Sequence, residues 1–285
     1  MQDRFGVSER RACRVSNQSR STQRYVPEED GEEKRLVKEM HEIARTEPRW
    51  GTPRVVQRLR SQGFRVNHKR VERLWRREGL QVPKKQRKRR RLGHSKNGIA
   101  RRRPEYRNHV WSYDFAMDRT YEGRRLKILA VLDEYTRDWL AVLVGRSITG
   151  DDVIAVLEDL IALHGRPKYI RSDNGPEFVA DDVRKWLKKR GIATLFIAPG
   201  SPWENGYVES FFSRLRDELL DGELFMSLVE AQVLLEDQRR FYNEERPHRS
   251  LGNLTPRQFS LACSQPGQQR EHNLRLSSDL VPKPG

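Results

Sequence analysis

The hydrophobic positions of this chain change period partway along. Residues 30–45 place Leu36, Met40 and Ile43 at helical spacing. The turn P-R-W-G-T-P follows, with Thr52 placed as an N-cap and Pro53 at the first helical position. The next helix carries Val55, Val56 and Leu59 inward and stops near Gly63. After F-R-V, which fits a turn, Asn67 opens H-K-R-V-E-R-L-W-R-R-E-G, with Val71, Leu74 and Trp75 inward and Gly79 as its stop. A fragment further upstream, F-G-V-S-E-R-R-A-C-R-V, has Ser8 as a cap and reads as part of one more helix.

From residue 109 the pattern turns to strands. H-V-W-S-Y-D-F-A-M-D (109–118) alternates around aromatic residues, and L-K-I-L-A-V-L-D (126–133) and D-W-L-A-V-L-V-G (138–145) add two more strands. Both connections are short enough for hairpins. A helix is predicted over 151–163, ending at Gly165, then a short strand over 168–173 that stops at Asn174-Gly175. A helix over 177–190, the strand A-T-L-F-I-A-P and a long helix over 205–220 complete the order βββαβαβα. That order is α/β: an antiparallel hairpin sheet extended by parallel strands and covered by helices. Ser227 with Glu230 forms a capping box for a further helix to about residue 245, and the Gln-, Ser- and Pro-rich stretch after 263 reads as a loose tail.

Charge changes the picture. The 285 residues hold 56 Lys plus Arg against 40 Asp plus Glu, a formal net charge of +16. Such a balance points to a polyanionic partner, nucleic acid foremost, with a ribosomal or membrane-surface role as the duller alternative. Between residues 84 and 103 there are 11 Lys or Arg and no acid. A run like that cannot form a core. It is either a solvated linker or a phosphate-binding arm, carried by Lys84, Lys85, Arg87, Lys88, Arg89, Arg90 and Arg91. The helix pair ahead of it, whose second member bears His68, Lys69, Arg70, Arg73, Arg76 and Arg77, suits a helix-turn-helix reader of DNA, or else an ordinary basic helix pair. The divisions expected are a helix fragment and linker (1–29), a helix-turn-helix-like domain (30–82), a basic linker (83–104), an α/β catalytic domain (105–262) and a tail (263–285). No apolar run approaches a membrane span, and the first residues carry no apolar secretion signal. Cys13 and Cys263, at opposite ends, exclude a disulfide framework or a Cys-rich zinc site.

Three carboxylates stand out by placement. Asp114 lies mid-strand, where alternation puts Ser112, Asp114 and Ala116 opposite Tyr113 and Phe115. A charge there is costly unless it is paired or binds a cation. Asp173 ends a strand whose carboxyl edge is a common ligand position. Glu209 borders the stripe Val208, Phe212, Leu215 and Leu219 of the long helix, and Arg216 follows on the same flank. Converging, the three suit hard divalent cations. The alternative is an Asp114–Arg pair, a turn-capping Asp173 and a solvated Glu209.

The strings W-S-Y-D-F-A-M-D-R-T, V-L-D-E-Y-T-R, Y-I-R-S-D-N-G-P-E-F, P-G-S-P-W-E-N-G-Y-V-E-S-F and Y-N-E-E-R-P-H-R-S-L-G carry a resemblance over residues 10 to 256. The chain resembles the OrfB-type transposases of two-frame bacterial insertion sequences, DDE enzymes related to retroviral integrases. The resemblance implies a ribonuclease H-like five-stranded mixed sheet with flanking helices, preceded by a helix-turn-helix region. It puts the acidic triad, both catalytic and metal-binding, on Asp114, Asp173 and Glu209, with 35 residues between the last two. The basic residue seven positions past the glutamate, usually lysine in the family, is Arg216 here, in reach of DNA phosphate. Asn174, Gly175, Trp203 and Asn205 would shape the active-site loops, Trp203 either stacking on a base or packing beside Pro202. The implied cofactor is a pair of Mg²⁺ ions, with Mn²⁺ as a substitute. The implied chemistry is 3′-end cleavage by water, then attack of the freed hydroxyl on target DNA. The implied partners are DNA, the upstream-frame OrfA protein or its fused product, and further copies of this chain on DNA. The implied location is the cytoplasm, at the nucleoid. The zinc-binding His/Cys domain of retroviral integrases is absent from the motifs. Two other classes stay open at this point: a same-fold nuclease or resolvase that does not join ends, and a non-catalytic DNA-binding repressor. His248 matches a family motif without a chemical role, and packing at a helix end is the other reading.

Overall fold

The computed structural model describes residues 6–25, 31–82, 103–172, 181–196 and 206–263. The basic run at 83–102, Asn174-Gly175, Pro199-Gly200, the start of the helix expected from 177, and the tail from 264 lie outside the described residues.

The amino-terminal unit is helical: α1 (Glu9–Val15), α2 (Arg20–Gln23), α3 (Gly31–Thr46), α4 (Thr52–Ser61) and α5 (His68–Arg77). The apolar positions of the last three helices meet in one core, closed by Trp50 and Val66. Asn67 caps α5, its side-chain oxygen accepting from the Lys69 amide at 3.0 Å. The N-cap of α4 is Gly51 rather than Thr52, which becomes the first helical residue. Proline lacks an N–H that the first turn would leave unbonded anyway, so the helix tolerates Pro53 one place further in.

The second unit is built on β1 (Val110–Arg119), β2 (Arg125–Asp133), β3 (Trp139–Gly145), β4 (Tyr169–Ser172) and β5 (Ala193–Phe196), in the order β3-β2-β1-β4-β5. β1, β2 and β3 pair antiparallel, whereas β4 lies parallel to both β1 and β5. This mixed five-stranded sheet with helices on both faces is the ribonuclease H-like arrangement that the motifs imply.

Both faces are covered, which explains why β2 reads as a nearly continuous apolar run. On one face Trp111, Tyr113 and Phe115 pack with α6 (Gly150–His164) and α7 (Asp181–Lys189). On the other, Ala116, Ile128 and Ala130 pack with α8 (Gly206–Leu215) and α9 (Leu228–Glu244). The Thr149/Asp152 capping box starts α6, and Gly165, at φ +85°, ends it. A last helix, α10 (Pro256–Cys263), closes a small cluster with Tyr135 and Leu251.

Two local features differ from the sequence expectation. The long helix over 205–220 is α-helical through Leu215 and then π-helical over Arg216–Leu220. At the start of α9, Ser227 accepts from the Glu230 amide, but the Glu230 carboxylate takes the Met226 amide instead of that of Ser227. The reciprocal half of the capping box is thereby shifted by one residue.

The loops at the ends of β1 and β2 are held by a buried acid. Asp133 accepts the backbone amides of Asn108 (2.7 Å), Tyr135 (2.8 Å) and Thr136 (3.1 Å). Burial pushes its carboxyl pKa up, and these three amides oppose the rise. Asn108, at φ +61°, also donates to the His164 carbonyl and accepts from the Trp111 indole, so one residue joins β1 to the end of α6.

The R-P-H segment after α9 is structural. The Tyr242 ring meets His248 edge-on at 4.6 Å, and Arg246 Nη1 lies 3.2 Å from His248 Nε2. A guanidinium has no acceptor, so Nε2 accepts and the imidazole proton sits on Nδ1. Burial first, then the charge of Arg246, pull the His248 pKa down to about 2. The folded chain therefore keeps this ring neutral while the unfolded chain protonates it below pH 6.5. Its contribution is complete above that pH and shrinks as the pH falls. His248→Gln is expected to lower the melting temperature more at pH 7.5 than at pH 5.0, the gap between parent and variant narrowing by about 2 kcal/mol. Melting curves at the two pH values check this, and a gap that stays constant would place the ring in a protonatable setting.

Candidate functional site

Asp114 sits in the middle of β1, paired across from Ala130 of β2. Alternation turns it to the same side as Ala116, the side that α8 covers. Its Oδ1 accepts the Phe115 amide at 2.8 Å, and the side chain is partly buried. Glu209 lies in the first turn of α8 and is exposed, one residue past the fully buried Val208. Because α8 packs directly against β1, the fold puts these two carboxylates on two contacting elements over one sheet face. The α8 stripe is broader than the sequence reading: Phe211 is buried beside Val208, Phe212 and Leu215, while Leu219 is only partly covered.

Asp173, Asn174, Gly175, Trp203 and Asn205 lie outside the described residues. Among the described residues, no three His, Cys, Asp or Glu side chains gather as a metal-holding group. The donor set named by the sequence is all carboxylate, which suits a hard cation, and two of its members are on elements that touch. Arg216 is exposed at the start of the π turn.

Sequence reasoning passed over the residues that hold these elements in place. Arg137, in the turn between β2 and β3, lies over the ring of Tyr207 at 3.7 Å. Tyr207 is two residues before Glu209, so this cation–π contact fixes the entry of α8. Arg171 of β4 pairs with Glu134 at 3.5 Å, and both side chains are almost fully buried. Breaking such a buried pair costs about 3–5 kcal/mol, so it pins the end of β4 against the β2–β3 turn. The signal was available: an arginine inside the apolar strand Y-I-R-S and two acids inside V-L-D-E-Y-T-R both demand partners.

The basic face of the helical unit is on α5. Arg73, Arg76 and Arg77 are exposed and Arg70 is partly so. Three of these arginines fan onto one acid at the start of α3: Glu33 lies 2.6 Å from Arg77, 3.5 Å from Arg73 and 4.0 Å from Arg70. Arg76 pairs along the helix with Glu72 at 3.4 Å. Lys84, Lys85, Arg87, Lys88, Arg89, Arg90 and Arg91 lie outside the described residues. The exposed fan is weak, so a phosphate can displace Glu33. Glu33→Gln is expected to tighten DNA binding about two- to five-fold at low salt, the scale of an exposed ion pair. Fluorescence anisotropy with labelled duplex at two salt concentrations measures it, and unchanged affinity would remove the α5 arginines from the interface.

Comparison with known proteins agrees with this layout. Residues 104–202 match the family described as Integrase core domain, residues 190–256 match a second family of that description, and residues 28–90 match the HTH-like domain. A protein of insertion element IS476 from Xanthomonas euvesicatoria is 37% identical over 254 residues, 89% of this chain and 72% of that protein. A protein of insertion element IS407 from Burkholderia multivorans is 36% identical over 260 residues, 91% of this chain and 93% of that protein. The transposase InsF for insertion sequence IS3A of Escherichia coli K12 is 29% identical over 229 residues, 76% of this chain and 78% of that protein. With HTH-like and integrase core matches in succession and relatives from insertion elements along most of its length, the chain belongs to the OrfB-type transposases of insertion sequences.

Proposed function

We propose that this transposase cuts the 3′ ends of its element and joins them to target DNA in a Mg²⁺-dependent reaction, with Asp114, Asp173 and Glu209 as the catalytic carboxylates. The observation that carries the reading is the packing of α8 on β1, which brings the helix of Glu209 over the face on which Asp114 lies. Asp114, Asp173 and Glu209 would hold the ions. When bound, Mg²⁺ lowers the pKa of an attacking water and stabilises charge on the leaving oxygen. Mn²⁺, which takes the same oxygen donors, is the expected substitute.

The chain's own residues do the rest. Asp114 is held in register by the pairing of β1 with β2, and its Oδ1 by the Phe115 amide. Glu209, exposed at the start of its helix, faces incoming substrate. Arg216, also exposed, presents a guanidinium fork suited to a phosphodiester. The α5 arginines and the basic run from Lys84 to Arg91 supply backbone contacts, which set affinity and not sequence choice. The same reading gives the chain an upstream-frame OrfA partner, assembly with further copies on DNA, and work in the cytoplasm at the nucleoid. Among the described residues no helix is long and apolar enough to cross a membrane.

Asp114→Asn and Asp173→Asn are each expected to lower cleavage and joining by about 10²–10³-fold or more, with DNA affinity within about two-fold of the parent. Oligonucleotide assays with a pre-cut 3′-hydroxyl end, run with Mg²⁺, with Mn²⁺ and with chelator, test this together with the OrfA protein. Full activity in either variant overturns the assignment, and cut DNA without joined product makes the enzyme a nuclease.

Deleting residues 84–103 is expected to weaken binding to every duplex alike. It should also flatten the dependence of log K on log salt, each lost phosphate contact removing about 0.9 from the slope. A titration of Kd against salt decides it, and an unaltered slope would make the segment a spacer.

A further inference from the structure

The helix that carries Glu209 does not end where its α-helical hydrogen bonding ends. It continues into the π turn Arg216–Leu220, and Glu218 of that turn is nearly buried, with 6% of its side chain exposed. Arg246, 1% exposed, donates to it twice, Nε to Oε2 at 2.6 Å and Nη2 to Oε1 at 2.7 Å. A second guanidinium reaches the same carboxylate from the other unit: Arg54 of α4 donates from Nη1 to Oε1 at 2.6 Å. Two further contacts join the units, the Trp50 ring stacked at 6.0 Å on Phe241, and Arg58 paired with Glu245 at 2.7 Å. Neither of those contacts falls on α8 or its π extension. The Arg54–Glu218 pair does, and Glu218 follows Glu209 by nine residues on one continuous helix.

A π turn adds backbone width within a helix, and such turns are frequent at functional sites. Here it delivers Glu218 to two arginines, one from each unit. Arg246 alone already meets both carboxylate oxygens, so the core does not need Arg54 to satisfy a buried charge. What Arg54 adds is a tie across the two units.

We propose that Arg54 and Glu218 are positioning residues: their ion pair fastens the helix-turn-helix unit to the helix of Glu209, so that the DNA-reading unit sets how that helix lies on β1. The catalytic side of this inference rests on the role proposed above for Glu209, whereas the mechanical tie does not. A DNA end that shifts the helical unit thereby shifts the α8 axis, and a seated end holds Glu209 against the strand of Asp114.

The test uses the full chain with Arg54→Met, Arg54→Lys and, as a control at the rim, Arg58→Met. Amide hydrogen exchange over residues 206–220, without DNA, is expected to quicken about ten-fold in Arg54→Met, to be intermediate in Arg54→Lys, and to stay at the parent rate in Arg58→Met. With saturating DNA, OrfA protein and Mg²⁺, the single-turnover joining rate of Arg54→Met is expected to fall about ten-fold with Kd within two-fold, and Arg54→Lys to recover part of it. Unchanged exchange over 206–220 overturns the tie, as does an equal effect from Arg58→Met. A rate loss that merely follows a loss of DNA affinity overturns the positioning role. Quickened exchange in Arg54→Met beside full activity in Asp114→Asn would strike the active-site assignment and leave the tie standing.

Discussion

The placement of chemistry in this chain depends on β1 and its two unlike neighbours. β2 pairs with it antiparallel along its whole length, and β4 pairs with it parallel over its first residues. A strand held on both edges cannot slip by one residue without turning Asp114 into the face lined by Trp111, Tyr113 and Phe115. There a carboxylate would be buried against aromatic rings without a partner. The correct register puts it on the face covered by α8, where the neighbouring positions are small: Ala116 on its own strand and Ala130 directly across. Small residues beside the acid let α8 pack close to the sheet there, with Glu209 in its first turn.

The ends of these elements are held by buried charges and not by loops of regular geometry. Asp133 gathers amides from two turns, the Glu134–Arg171 pair fixes β4, and Glu218 joins α8 to both Arg246 and Arg54. Each is costly to desolvate and costlier to break. Such contacts give little net stability compared with apolar packing, but they allow one geometry and penalise the others. Glu47, near the same interface, shows the strain of collecting charge there: burial first, then the nearby Glu218, lift its pKa to about 7. A carboxyl raised in the folded chain weakens folding as the pH climbs from about 4.5 through 7, the opposite sense to His248.

How much of this was legible depended on range. Helical periodicity named Leu36, Met40 and Ile43, Val55, Val56 and Leu59, and Val71, Leu74 and Trp75, all of them buried in one core. Alternation placed Asp114 opposite Tyr113 and Phe115, and the strand ends differ from expectation by about one residue. These are local consequences of period and turn chemistry. The cap of α4 moved from Thr52 to Gly51 because either residue satisfies the same first turn, and only the backbone decides. The π turn left no trace in composition, since R-D-E-L-L is a good α-helical string. Within it Glu218 meets Arg54 from 164 residues away, a distance in sequence that no window spans. Arg137 over Tyr207 and Arg171 with Glu134 belong to the same class: an unpaired charge was visible in each string, its partner was not. Asp173 and the loop residues Asn174, Gly175, Trp203 and Asn205 are legible through motif resemblance.

The arrangement of charge suggests a division of labour along the chain. On α5 the arginines are already matched by acids, Glu33 for three of them and Glu72 for the fourth, at exposed sites where a pair is weak. Between residues 84 and 103 no acid is present at all. A basic surface with its own counter-charges gains less from a phosphate than a bare one, because it must give up a partner first. The bare segment therefore suits first capture of any duplex, and the matched helix adds backbone contacts only where a phosphate repays the displaced pair. At the far side of that same helical unit, Arg54 meets the nearly buried carboxylate of Glu218, a pair that salt screens less than the fan. Ionic strength should then loosen the grip on DNA before it loosens the contact between the two units, so the tie through which a DNA end acts on the helix of Glu209 persists while DNA comes and goes.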